Sequence, residues 1–252
     1  MSAYHLPERT SVDLQKREIG MSNELARATQ GLKLSEKRTL VLAMVKTDSV
    51  PLSDLVEAKS SGGWTVVITA MEYATVYGVD RDTAYSQLKS SAKSLIKKQV
   101  KSTIKTKNGI KEVETCWVEQ CVYSKMDAIV EITFTAKIAP HLLGLRGGFT
   151  NYKLNQVSGL RSIYSWRLFE CLQSWRGTGL WEVSIEDFQK AMDAPESAKV
   201  GFGQLDRRIL QPALKELREK YGMVIELECE KVGKKIVTLI FKFKANEASL
   251  KL

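Results

Sequence analysis

Apolar positions recur with two periods along the chain, and the order in which those periods alternate occurs twice. Ser22 and Asn23 are caps for a short helix in which Leu25, Ala26 and Ala28 can face a core. Ser35-Glu36-Lys37-Arg38 opens a second helix, and Leu40, Val41, Met44 and Val45 make its apolar stripe. Pro51 and the Ser60–Gly63 run mark a loop, after which Trp64–Ile68 has the β-branched content of a strand. A helix over Thr69–Tyr77 ends at Gly78, and a longer one capped by Asp80 runs to about Lys98. Ala84, Leu88, Ala92 and Leu95 fall on one side of that helix, and Arg81, Ser86, Lys89, Lys93 and Lys97 on the other. Extended stretches Val100–Lys105 and Val113–Tyr123 flank the turn Lys107-Asn108-Gly109. A third alternating run, Ala128–Phe134, precedes a short helix that Gly144 and Gly147-Gly148 end.

The second half returns to the same order. Leu160–Trp175 is an amphipathic helix, Trp181–Ile185 a short strand, and Glu186–Met192 a helix. After a loop with Pro195 comes a long helical stretch, Gly203–Tyr221, whose core stripe is Leu205, Ile209, Leu210, Leu214 and Leu217. Pro212 lacks an amide donor and is expected to kink or divide it. Strands Met223–Glu230 and Ile236–Phe243 flank the basic turn Lys231–Lys235. Two helices, a strand, two helices and a hairpin is the order of a winged helix. The expected fold is therefore α+β, two tandem winged-helix domains related by internal duplication. The expected division is a flexible N-terminal arm over residues 1–20, a first domain over 21–148 and a second over 149–252.

Charge sharpens this picture. The 252 residues carry 38 Lys plus Arg against 29 Asp plus Glu, a net +9, which favours a polyanionic partner, either nucleic acid or an acidic membrane surface. The balance is +4 up to Leu145 and +5 beyond it, so neither half is a basic tail. Between Lys89 and Lys111 stand eight lysines and no acid, a run that can neutralise phosphates or can simply be a solvated face. A lipid-binding helix would need an apolar stripe beside its lysines, but Leu88 and Leu95 are wanted by the core.

Sequence places candidate DNA contacts on both helix-plus-hairpin units. In the first they are Arg81, Ser86, Lys89 and Lys93 on the helix, with Asp82 beside them, and Lys101, Lys105 and Lys107 along the expected wing. In the second, Gln204, Arg207 and Arg208 are the base-reading candidates, because Arg pairs bidentately with guanine and Gln with adenine. Lys234 and Lys235 lie on the second wing, and Arg161, Ser162 and Ser165 open a helix whose N-terminus favours phosphate. Arg208 can alternatively pair with Asp206 or Glu216. Trp64, Trp166, Trp175 and Trp181 fall at apolar positions, which favours core packing over base stacking.

Enzymatic chemistry finds little support. His5 and His141 are far apart and no phosphate-binding G-x-x-x-x-G-K-[ST] occurs, so no catalytic residues, metal or cofactor are expected. Cys116, Cys121, Cys171 and Cys229 form no C-x-x-C pair and read as buried reduced thiols. No apolar run is long enough for a membrane span, and the charged N-terminus is unlike a signal peptide, so a cytoplasmic protein with no membrane partner is expected.

Several stretches are similar to one family. Ser162-Ile163-Tyr164-Ser165-Trp166-Arg167-Leu168-Phe169-Glu170 resembles the S-x-Y-S-x-R-L-Y-E-L helix of iteron-binding plasmid replication initiators, with Phe169 where Tyr is usual. Leu205–Leu217 resembles their second recognition helix, Gly233-Lys234-Lys235 their G-R-K wing, Leu34–Arg38 their first-module opening and Tyr85–Lys89 their first recognition helix. The resemblance implies an initiator that binds direct repeats (iterons) of double-stranded DNA at a plasmid origin, one module per part of the repeat in successive major grooves. It further implies local melting and recruitment of host initiator, helicase and primase. It implies monomers that initiate and homodimers, joined through the first module, that bind an operator. The rival expectation is a winged-helix transcription regulator with no origin function.

Overall fold

The computed structural model describes residues 11–47, 63–142 and 148–244. The first ten residues, the loop expected around Pro51 and Ser60–Gly62, the expected helix end at Gly144 to Gly147 and the side chain of Lys105 lie outside the described residues. Residues 11–20 are not the loose arm expected of them. They form a helix α1 (Ser11–Lys16) and a strand β1 (Glu18–Ser22), the latter pairing antiparallel with residues Phe149–Lys153. Leu14, Ile19 and Met21 are almost fully buried, and burial of those three side chains anchors a segment too short to show a period of its own.

Ser22 caps α2 (Asn23–Arg27) by accepting the Leu25 amide at 3.1 Å. The next helix, α3 (Leu34–Thr47), is apolar nearly all round over Leu40–Val45 and forms the centre of the first module. Strand β2 (Thr65–Thr69) leads into α4 (Ala70–Tyr77), which opens with a Thr69/Glu72 capping box and closes on Gly78 at φ 64°. Asp80 accepts the Thr83 amide at 2.8 Å and starts α5 (Arg81–Leu95). Four strands and a short helix follow: β3 (Gln99–Thr106), β4 (Gly109–Cys116), β5 (Val118–Ser124), β6 (Ile129–Phe134) and α6 (Ala139–Leu142). Last comes β7 (Phe149–Lys153), the partner of β1.

The second module comprises α7 (Ile163–Gln173), β8 (Leu180–Ser184), α8 (Ile185–Ala191), α9 (Glu196–Lys199) and α10 (Phe202–Leu205). A π-turn over Asp206–Leu210 joins α10 to α11 (Gln211–Tyr221), and β9 (Val224–Val232) and β10 (Lys235–Lys244) end it. Pro212 stands in the first turn of α11 and explains the division: it offers no amide to the carbonyl of Arg208, and its ring would crowd that oxygen. Phe241 stacks on both Trp181 and Phe188 at the centre of this module, and Trp181 and Phe188 are tilted to each other, with ring centroids 5.1–6.0 Å apart.

Sheet order establishes the duplication. The first module's three-stranded sheet runs β2-β6-β5 and the second's β8-β10-β9, so in each the strand before the helices flanks the last strand, and the penultimate strand lies outside. By that equivalence the first wing is β5–β6, whereas β3–β4 is a separate two-stranded ribbon. The wing expected around Lys107 is therefore corrected: the hairpin exists, but it is inserted between the helix and the true wing. The expected boundary at residue 149 falls at the start of β7, which pairs back onto β1, and the buried side chains of both modules form one contiguous core.

Thiol burial is only partly as expected. Cys171 is buried and Cys121 partly so, burial pushing both up to about 11, while Cys116 and Cys229 are exposed. Cys116 ends β4 and Cys121 lies in β5, so the two are not on one strand. Trp64, Trp166 and Trp181 are buried, and the half-buried Trp175 carries the Arg27 guanidinium 4.3 Å from its ring centroid.

Candidate nucleic-acid interface

The third helix of each winged helix exposes a polar face held out by an apolar one. On α5, Ala84, Leu88, Ala92 and Leu95 are fully buried, and the opposite side presents Asp82, Ser86, Lys89, Ser90 and Lys93, with Lys97 just beyond. Arg81, seven residues before Leu88, stands on the core stripe and is exposed because it is the first residue of the helix. The Lys89 ammonium lies 5.9 Å from the ring centroids of both Tyr85 and Tyr123, so a residue of β5 helps aim a helix lysine. At the tip of this wing stand Lys125 and Met126, the latter 98% exposed. Neither was legible as a contact, because the pairing of β5 with β6 rather than β4 is a tertiary outcome.

Lys101, Lys105 and Lys107 belong instead to the β3–β4 ribbon. Lys101 pairs with Glu114 at 2.6 Å, the hydrogen bond and charge of that carboxylate raising its pKa, and its amide donates to Thr29 at 3.0 Å. Its charge is thus partly spent within the ribbon, while Lys107 is exposed at the tip.

In the second module Arg207 and Arg208 are exposed on the π-turn, with Ile209 and Leu210 turned into the core. Arg207 donates to the Gln204 side chain at 3.1 Å, so these two of the three base-reading candidates arrive as one unit. Arg208 donates to Ser197 at 3.1 Å rather than to a carboxylate; Asp206 is taken by Gln211 at 2.9 Å and Glu216 by Lys220 at 2.8 Å. Gln211 and Lys215 continue the exposed face, positions that helix spacing from Arg207 and Arg208 could have flagged. At the wing tip Gly233 adopts φ 61°, which allows the tight turn that leaves Lys231, Lys234 and Lys235 exposed.

The start of α7 does not make the phosphate site expected there. Ser162 uses its hydroxyl to accept the Tyr164 amide at 3.1 Å, and Ser165 is fully buried. The Arg161 amide donates to Glu216 at 2.9 Å, so the protein's own carboxylate occupies the anion position at this helix end. Burial would raise the Glu216 pKa, but the hydrogen bonds from Lys220 and the Arg161 amide outweigh it and hold the carboxyl below its usual range. Of the three candidates only Arg161 leaves an exposed side chain.

Fold and faces together define a tandem winged-helix protein with two basic recognition faces and a second wing that is basic at its tip, while the first wing offers Lys125 among Glu119, Asp127 and Glu131. Residues 18–173 match the family described as Initiator Replication protein, WH1, and residues 184–243 that described as Initiator Rep protein, WH2. The chain belongs to this family of replication initiators. An uncharacterized 27.6 kDa protein of Escherichia coli is 28% identical over 230 residues, 90% of this chain and 96% of the relative. The PI protein of Escherichia coli is 24% identical, covering 92% of this chain and 84% of its own length. A probable replication protein of Bifidobacterium longum (strain NCC 2705) is 25% identical over 114 residues, 45% of this chain and 38% of the relative. The fold is shared with the crystal structure of a Pi initiator protein in complex with iteron DNA, at a TM-score of 0.75, 23% identity, 92% of this chain and 99% of that one. Among the described residues, no helix is long and apolar enough to cross a membrane, and no group of three or more His, Cys, Asp or Glu could hold a metal ion.

Proposed function

We propose that this replication initiator acts at a plasmid origin by binding direct repeats of double-stranded DNA. The observation that carries the reading is the presence of two recognition faces of matched topology on one chain, α5 with β5–β6 and the α10–α11 stretch with β9–β10, each exposing basic side chains. The Pi initiator in complex with iteron DNA shares this fold and supports repeats as the ligand. Each module takes one part of a repeat in successive major grooves, with Arg81, Ser86, Lys89 and Lys93 in one and Gln204, Arg207 and Arg208 in the other. Lys234 and Lys235 follow phosphates, Arg161 is a flanking phosphate contact, and Lys107 can reach backbone only from the ribbon.

Melting of the adjacent duplex and recruitment of host initiator, helicase and primase complete the reading, in a bacterial cytoplasm, with no catalytic group of the chain's own. A dimeric form that binds an operator belongs to the same proposal. The direct test is maintenance in bacteria of a circular DNA carrying this gene and its flanking repeats. Replication is expected with the natural chain and not with Arg207→Ala/Arg208→Ala; replication independent of the gene would overturn the reading. In solution the full chain is expected to protect roughly two helical turns per repeat. If about six to ten phosphates are neutralised, its affinity falls by about a thousandfold or more between about 50 and 200 mM salt. A salt-insensitive complex would remove the phosphate contacts from the proposal.

A further inference from the structure

The two modules are joined by a buried polar network that the two recognition faces do not use. Lys37 of α3 and Arg167 and Glu170 of α7 are all fully buried, and α3 and α7 are the equivalent first helices of the two winged helices. Lys37 Nζ lies 2.6 Å from Glu170 Oε1 and donates to Gln30 Oε1 at 2.9 Å. Glu170 also accepts from Tyr152 at 2.6 Å and from Arg167 Nη1 at 3.0 Å. Arg167 Nη2 then donates to the Ala28 carbonyl of the first module at 2.7 Å and to the Ala191 carbonyl of the second at 2.8 Å. Outside the network, Asp193 accepts from the amides of Gln30 and Gly31, and Arg38 donates to the Leu160 carbonyl at 3.0 Å.

Charge placement singles out Lys37. Arg167 and Glu170 balance each other within α7, and Arg167 reaches the first module through the neutral Ala28 carbonyl, so Lys37 is the charge that the first module itself brings to that pair. Apolar contacts tolerate small rotations of one body on another, but buried charged hydrogen bonds are directional and costly to leave unmade. One added base pair turns the second half of a site by roughly 35° and moves it by about 3.4 Å, a displacement such a joint cannot follow. Resting on the bipartite reading above, we infer that Lys37, through Glu170, is a positioning residue that sets the spacing between the two halves of the DNA site this protein accepts.

The test uses the full chain and a site obtained by selection from random duplexes, with one base pair inserted or removed between its halves. Wild type is expected to lose about a hundredfold in affinity on either altered duplex. Lys37→Met keeps the length of the side chain and leaves Arg167 paired with Glu170; it is expected to bind the selected site within about threefold of wild type and to lose only about tenfold or less on the altered ones. Lys37→Arg, which restores the charge, is expected to recover most of the discrimination. Leu239→Val, which loosens the second module's sheet core away from the network, is expected to lower stability without changing the spacing profile. If Lys37→Met does not fold, Tyr152→Phe removes one donor to Glu170 and no charge, and its profile should broaden in the same direction. A profile as sharp as wild type in these variants overturns the inference. A selected site with only one half, or wild-type binding indifferent to spacing, instead overturns the bipartite reading itself.

Discussion

Replacing Arg207 and Arg208 together by alanine is expected to lower affinity for the repeat by at least about thirtyfold and to flatten the difference between specific and random duplexes. Removing one base-reading side chain costs about 1–3 kcal/mol, and the two arginines leave the π-turn from adjacent positions. Arg207 is held by Gln204 and Arg208 by Ser197, neutral partners that orient a guanidinium without cancelling its charge. The two residues should also separate under single substitution. A variant that binds every duplex equally more weakly marks its arginine as a phosphate ligand, and one that relaxes preference at a single base pair marks it as a base reader. Competition binding with one-base variants of the site makes the distinction, and unchanged affinity in the double variant would remove the π-turn from the interface.

The largest effect on folding is expected at Glu170. Alanine there leaves Lys37 and Arg167 fully buried without a carboxylate and should cost about 3–5 kcal/mol, read by denaturant unfolding. Lys37→Met should cost far less, since it removes a buried charge together with the need to pair it. The two variants also differ with pH. Burial lowers the Lys37 pKa and the charge of Glu170 offsets part of that fall. The folded chain therefore holds this proton less tightly than the unfolded chain, and stability rises as pH climbs towards the ordinary lysine value of 10.5. Removing Glu170 deepens the shift, so the rise should be larger and begin at lower pH in Glu170→Ala and be absent at this residue in Lys37→Met. A deficit of less than about 1 kcal/mol in Glu170→Ala, or one unaffected by alkaline pH, would mean that the charges are not buried as described.

Local signals carried most of the first module's helices and nearly all of the second module. Thr69, Gly78, Asp80 and Ser22 cap or end helices through bonds to amides three residues away or through a left-handed glycine, and such short-range chemistry is written in adjacent residues. Periodicity likewise set the buried and exposed sides of α5, so Ser86, Lys89 and Lys93 were legible as one face, whereas Arg81 shares the stripe of Leu88 and is exposed only as the first residue of the helix. The first wing was not legible, because three consecutive extended runs offer two hairpins and only the pairing of β6 with β2 selects between them. Ser165 was misplaced for a related reason: its position on α7 is buried by a helix some fifty residues later, beside Glu216.

By itself, then, the sequence determined the class of fold, the twofold order of its elements and the helix faces that carry basic residues, since each depends on spacings of two to four residues. Tertiary structure alone decided which hairpin is a wing, that residues 11–20 are an ordered helix and strand, and that Glu216 fills the anion position at α7. It also decided that Lys37 meets the Arg167–Glu170 pair of a helix far along the chain at one buried joint between the modules. Those outcomes rest on contacts between segments more than fifty residues apart, whose geometry no local period encodes.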